Sequence, residues 1–289
     1  MAMRLSEKTL PHALRKPMKL APLILALLTP LALAQPAPQP APLPTCASPT
    51  LATFDVASVK PSQLEAGSWH NSGTADSVTG GGTIFHMIQT AYGLRDYQIS
   101  GGPNWLTNST WDIVAKVDQP PANYNSLTRD ARTSLQRQRM AAVLAQRFNL
   151  KCHFETKQLP IYNLVLAKGG AKLPPTPADS SKKGNMNWNG QGRQNNMDAT
   201  GVELTAVANM LSQVLGRTVV DKTGLTGLYD AKLNWTSDPP ANAPASTDAA
   251  ASGPSIFTAL EEQLGLKLES AKGPVPVLVI DSIDKPSEN

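Results

Sequence analysis

The feature that most constrains this chain is a switch of hydrophobic period that occurs twice in the same order. Ile84, Met87, Ile88, Ala91 and Tyr92 fall at i, i+3, i+4, i+7 and i+8, one face of a helix that stops at Gly93. A short strand follows over Tyr97–Ser100. Trp111, Ile113, Ala115 and Val117 then alternate as a longer strand, since successive strand side chains point to opposite faces. A helix carrying Met140, Val143, Leu144 and Phe148 leads into Leu150–Glu155 and Ile161–Ala167, which read as a hairpin. The later chain repeats the order. Leu204, Val207, Ala208, Leu211 and Leu215 share a helix that ends at Gly216, and strands at Thr218–Asp221 and Tyr229–Trp235 follow. A helix with Ile256, Ala259, Leu260 and Leu264 precedes strands at Leu266–Leu268 and Val275–Ile283, separated by a Gly273-Pro274 turn.

Residue matches accompany this order. At an offset of 118, Trp111-Asp112 falls on Tyr229-Asp230; at 116, Leu144 falls on Leu260, Leu150-Lys151 on Leu266-Lys267, and Pro160 on Pro276. The expected fold class is α+β, with two similar small units, 53–167 and 201–285, each placing two helices on a mostly antiparallel sheet. Phe54–Val59 alternates as an opening strand, and residues 61–82, rich in Ser, Gly, Asn and Asp, read as loop. Residues 168–200 hold few large apolar side chains and read as a flexible linker. The Ala, Pro, Ser and Asp of 236–253 read as a mobile loop, and 286–289 as a tail.

The N-terminus reads as an export signal. Arg4, Lys8, Arg15, Lys16 and Lys19 precede an apolar run, Leu20–Leu33, that contains Pro22 and Pro30. At 14 residues it is too short to span roughly 30 Å of hydrocarbon as a helix, and Ala32-Leu33-Ala34 fits a cleavage site before Gln35. Met18 is an alternative start. Residues 35–52 read as a Pro-rich tether, extended by five prolines among positions 35–45. The expected location is the periplasm or outside the cell, with no transmembrane span left after cleavage.

Removing residues 1–34 alters the charge. The chain holds 26 Lys plus Arg and 22 Asp plus Glu; losing five bases and one acid leaves 21 of each. The pI of about 9.0 therefore belongs largely to the signal, and a nucleic-acid partner is not expected. Cys46 and Cys152 are the two cysteines, and they either pair or stay as two buried thiols. Pairing would close a loop worth roughly 4 kcal/mol in the chain-entropy model.

The residue types that carry chemistry are sparse. His86 lies off the apolar stripe of its helix, His153 shares an outward strand face with Lys151 and Glu155, and His70 sits in the polar loop. Each reads as a solvated residue, with no pair at zinc-ligand spacing and no serine in a nucleophile elbow. The sequence calls for no catalytic residue, cofactor or metal. Gly80-Gly81-Gly82-Thr83 before a helix lacks the lysine of a phosphate loop. Two glycine-bearing stretches are candidate binding loops: Gly101, Gly102, Pro103 and Trp105; and Lys222, Thr223, Gly224 and Thr226. A structural turn is the simpler reading of the second. Trp105, Trp111 and Trp235 are a candidate aromatic surface, although Trp111 and Trp235 follow the core alternation.

Phe54–Pro61, Ala91-Tyr92-Gly93-Leu94, Tyr97–Leu106, Glu155–Tyr162, Val220–Gly227 and Asp281–Asn289 together resemble an uncharacterised family of secreted, soil-bacterium-associated proteins abundant in Acidobacteria. The resemblance spans 53–289. It implies export, and in some relatives a domain joined to a membrane metallopeptidase of the antibiotic-sensor type, but no catalytic residues. The stretch around Gly80–Thr83 is shorter than the family pattern, which has a strand there. More loosely, Leu211–Trp235 looks like the short N-terminal modules of secretins and TonB-dependent receptors. The expected function is a non-catalytic envelope module binding a protein or small ligand. The alternative is a hydrolase or peptidase accessory that brings His153 or His70 to a carboxylate and a nucleophile.

Overall fold

The computed structural model describes Cys46 and residues 53–65, 67–180, 184–238 and 253–286. The expected signal, most of the tether, the greater part of the 236–253 loop and the tail lie outside the described residues. Five α-helices and three sheets are present among the described residues, and the pairing is mostly antiparallel.

The first sheet holds β1 (Phe54–Pro61), β2 (His70–Gly73), β3 (Ser77–Thr83) and β5 (Thr110–Val117), in the order β1-β5-β3-β2. Helices α1 (Ile84–Tyr92) and α3 (Arg129–Arg147) bury their apolar stripes with it: Ile84, Met87 and Ile88 meet Val143, Leu144 and the inward-facing Val59, Val78 and Ile113. Short β4 (Ile99–Gly101) and α2 (Trp105–Asn108) lie between α1 and β5. A second sheet, in the order β10-β8-β7, holds β7 (Asn185–Gln191), β8 (Gln194–Val202) and β10 (Tyr229–Thr236). Its core is closed by α4 (Leu204–Leu215) and α5 (Ile256–Ala259), which runs on into a π-helical turn, Leu260–Leu264.

The third sheet joins the two cores. β6 (Lys151–Leu166) and β11 (Leu266–Ser282) pair antiparallel along their whole length, from Leu166 opposite Leu266 to Lys151 opposite Ser282. β4 adds in parallel to β11, and β9 (Val219–Asp221) adds in parallel to β6. Leu278 and Ile280 enter the first core, while Leu164, Leu266 and Leu268 enter the second.

This ribbon corrects two expectations. Leu150–Glu155 and Ile161–Ala167 are parts of one strand and not a hairpin, and Gly273-Pro274 lies inside a strand and not at a turn. The prolines survive because each directs its nitrogen away from the partner strand of the ribbon. Tyr162 N–H donates away from β11, to the Thr218 carbonyl at 2.8 Å. Pro160, two residues back, directs its nitrogen the same way, where no ladder bond is lost. Pro274 and Pro276 sit opposite Gln158 and Thr156, in the same class of pair.

Two further expectations change. Residues 61–82 read as loop in the sequence, yet they contain β2 and nearly all of β3. Gly80 and Gly81 let β3 pass between crowded neighbours: a Cβ on Gly80 would stand 2.8 Å from Met140 Cε, and one on Gly81 would strike the His70 ring. Residues 168–200, which read as a linker in the sequence, carry β7 and most of β8. Their Asn-rich sequence hid the alternation, because between residues 185 and 200 only Met197 and Ala199 are buried core side chains.

Candidate functional site

An open cleft of 1020 Å³ lies between the β2–β3 hairpin, α1, α3 and the C-terminal end of α4. Local sequence positions each wall. Thr83 caps α1, its hydroxyl accepting the His86 N–H at 3.2 Å, and Gly93 ends the helix in the left-handed region at φ 66°. The Arg137 guanidinium packs against Gly93, where a Cβ would stand 3.0 Å from Nη1. That places a cation at a helix C-terminus, where the backbone carbonyls favour one.

The hairpin wall is fixed from below by Arg139, which is buried. Its guanidinium donates to the carbonyls of Thr74 at 2.8 Å, Ala75 at 2.7 Å and Ser77 at 3.4 Å. Burial draws its pKa below the usual guanidinium range, while Tyr124 and Asp76 oppose that shift. Beside it Gln136 Nε2 donates to the Thr74 carbonyl at 2.9 Å, which leaves Gln136 Oε1 buried without a partner among the described residues.

Trp69, 53% exposed, lays its ring over the His86 imidazole at a centroid distance of 4.4 Å and 31° between planes. His86 Nε2 beneath it has no partner among the described residues. Burial pushes the His86 pKa below the usual histidine value, against the opposing effects of Gln89 and Asp96, and so favours the uncharged ring. Gln89 Nε2 also donates to Asp96 Oδ1 and holds that carboxylate at the rim. Full charges on the cleft lining are Arg95, Arg137 and Asp96, so cations outnumber acids. Behind Tyr97, Thr218 Oγ1 donates to Tyr97 Oη at 3.2 Å, linking the segments that lead into β9 and β4.

The residues singled out in the sequence lie elsewhere. None of Gly101, Gly102, Pro103, Trp105, Lys222, Thr223, Gly224 or Thr226 lines this cleft. A Cβ on Gly102 would stand 2.5 Å from Leu106 Cδ1, and Trp105 packs edge-on to Trp111 at 6.5 Å. In the second loop, Asp221 Oδ1 accepts from Thr223 N–H at 2.9 Å and from its hydroxyl at 2.7 Å; the same hydroxyl accepts from Leu225 N–H at 3.2 Å. Thr223 is buried and its bonding capacity is used within the turn. Trp111 and Trp235 are buried in different cores, whereas the exposed tryptophans are Trp69 and Trp188.

The histidines separate. His153, on β6, sits between Asp281 at 2.9 Å and Glu155 at 3.3 Å, and bonding to these carboxylates, Asp281 first, raises its pKa above 6.5. His70 belongs to the first sheet, and its ring covers Gly81 near the Asp112 carboxylate. His86, expected to be solvated, is half-buried because Trp69 covers it; Trp69 lay outside any periodic segment, so pattern gave no warning. Among the described residues no group of three or more His, Cys, Asp or Glu side chains is arranged to hold a metal, and no helix is long and apolar enough to cross a membrane.

Fold and cleft together define an α+β protein whose two cores share one long ribbon and whose open cleft combines an aromatic platform with two arginines. The chain belongs to the family described as Protein of unknown function (DUF3738), which matches residues 85–283. That span runs from the second residue of α1 past the end of β11 and so takes in parts of both cores. No curated protein and no solved structure matches the chain.

Proposed function

We propose that the chain is exported through residues 1–34, cut before Gln35, and acts outside the cytoplasm as a non-catalytic module whose cleft binds an anionic ligand with a flat face. The observation that carries the binding reading is the cleft lining: the Trp69 ring at its surface, with Arg95 and Arg137 in the same 1020 Å³ space and one acid, Asp96, against them. A sugar or aromatic face stacks on Trp69, and guanidinium forks bind carboxylate or phosphate in two-point contact. Gln89, Thr90 and Thr133 add amide and hydroxyl groups for orientation. We assign the Gly101–Trp105 and Lys222–Thr226 loops to stability, since their bonding and packing are spent internally.

Tryptophan fluorescence and thermal melting, with a panel of acidic sugars and carboxylated or phosphorylated aromatics, test the binding reading. A compound that binds is expected to lose at least about tenfold in affinity, about 1.4 kcal/mol, on Arg95→Ala with Arg137→Ala. A panel that moves neither signal, or arginine variants that bind as well as the parent, overturns it. Export has its own check. N-terminal sequencing of the protein from a host envelope fraction is expected to begin at Gln35, and an uncut chain confined to the cytoplasm refutes it.

We further propose that the two halves are copies of one ancestral unit. An offset of 116 carries Tyr162 to Leu278, and these are the residues that pair with Val219 of β9 and Ile99 of β4. The same offset carries Asn149, the one non-glycine residue with positive φ among the described residues (48°), to Gly265 at 64°. If profiles of the two halves built from many family members fail to align at these offsets, common ancestry is rejected.

A further inference from the structure

A sheet edge exposes unpaired N–H and C=O groups, and natural proteins guard such edges with charge, proline, bulges, short strands or a covering group. Most edges here are guarded. β1 carries Lys60, Pro61 and a register shift between Phe54 and Val56. β2 is four residues long, and β4 and β9 are three each. The outer edges of the β6–β11 ribbon carry Pro160 and Pro274, and Pro276, whose carbonyl accepts from Gln98 Nε2 at 3.2 Å. β10 is covered by a side chain: Asn234 N–H donates to Gln263 Oε1 at 2.9 Å, and Gln263 Nε2 donates to the Asn234 carbonyl at 2.8 Å.

β7 is the exception. It is seven residues long, Asn-Met-Asn-Trp-Asn-Gly-Gln, with no charge and no proline, and its pairing with β8 is unbroken from Asn185 to Gln191. No described residue pairs with its other edge. Asn185, Asn187, Asn189 and Gln191 point to one face, all exposed, opposite Thr200, Asp198, Asn196 and Gln194 of β8. Trp188 points to the other face, 38% exposed, and stacks on Trp235 at 6.2 Å.

We propose that β7 is a pairing edge for a second copy of this chain, joining two three-stranded sheets into one antiparallel six-stranded sheet. The edge is complementary to itself. Antiparallel pairing about Trp188 sets Asn187 of one copy opposite Asn189 of the other, and Asn185 opposite Gln191. An amide both donates and accepts, so a row of amides meets its own copy without a mismatch of charge or of donors. The same arrangement brings the two Trp188 rings side by side, at the Cα spacing of about 4.5–5.5 Å found across antiparallel pairs, and covers the exposed part of each ring.

Sedimentation equilibrium of the full chain over a range of concentrations tests this. The parent is expected to pass from monomer to dimer. Asn187→Lys with Asn189→Lys sets like charges opposite one another and is expected to weaken association at least about tenfold, with melting unchanged at concentrations where the parent is monomeric, because both side chains are exposed there. Mixing that variant with Asn187→Asp and Asn189→Asp is expected to restore the dimer as a mixed species. A parent that stays monomeric throughout, a lysine variant that dimerises like the parent, or a mixture that fails to associate overturns the proposal. A monomeric parent that captures an unrelated extended peptide at β7 also overturns it, because the occupant would then not be a second copy.

Discussion

Replacing both Cys46 and Cys152 with alanine is expected to lower the stability of the protein by about 4–5 kcal/mol. The two residues are bonded, with Cα atoms 5.4 Å apart and 106 positions between them in sequence. A cross-link closing a loop near 100 residues removes about 4.7 kcal/mol of unfolded-chain freedom in the entropy model, and removing a native disulfide costs 2–5 kcal/mol in small secreted domains. Both cysteines also pack on the first core, as Tyr92 and Phe154 do, so truncation removes contacts as well. Equilibrium denaturation of parent and double-alanine protein measures the difference. A loss below about 1 kcal/mol would mean that the bond constrains little that the fold does not already hold. The sequence left pairing open against two buried thiols; the structure shows the bond. Such bonds persist in oxidising compartments, which agrees with the proposed export.

Phe148→Ala is expected to cost about 3–5 kcal/mol, the usual range for removing a fully buried aromatic side chain. Phe148 is fully buried at the end of α3, its ring edge-on to Trp111 at 6.1 Å and 89°. Its backbone is engaged as well: its N–H donates to the Leu144 carbonyl at 3.1 Å and its carbonyl accepts the Asp284 N–H at 2.8 Å. The informative outcome is the shape of unfolding. β6 and β11 contribute to both cores, so damage to the first is expected to shift one shared transition, with fluorescence and far-UV circular dichroism coincident. Two separated transitions, the later one at the parent's midpoint, would show the cores to be independent.

Much of the fold was legible in periodicity. The stripe Ile84, Met87, Ile88 and Ala91 located α1, and Gly93 marked its end, because a residue in the left-handed region is glycine's ordinary place at a helix terminus. The alternation Trp111, Ile113, Ala115 located β5. Punctuation misled at Pro160 and Gly273-Pro274. Local rules read these as turns, but which side of a strand is paired is set by elements more than 50 residues away, such as β9 against β6. β7 escaped because its inward face is Met186, Trp188 and Gly190, of which none is fully buried. The cleft was the least legible feature. Its platform pairs Trp69, from an aperiodic stretch, with His86, from the edge of an amphipathic helix, and no sequence rule joins the two.

The β6–β11 ribbon also sets a schedule for folding. Its pairs bring together residues from Leu166 with Leu266 to Lys151 with Ser282, separations of 100 to 131 positions. Contacts that distant demand loop closure before they return any stabilisation, which places the protein among slow folders. The closing strand is made at least 100 residues after its partner. Each core therefore waits, with half of its central pair missing, until β11 has been made. Through that interval β6 offers a long unpaired edge, the kind of surface on which a nascent chain can mispair.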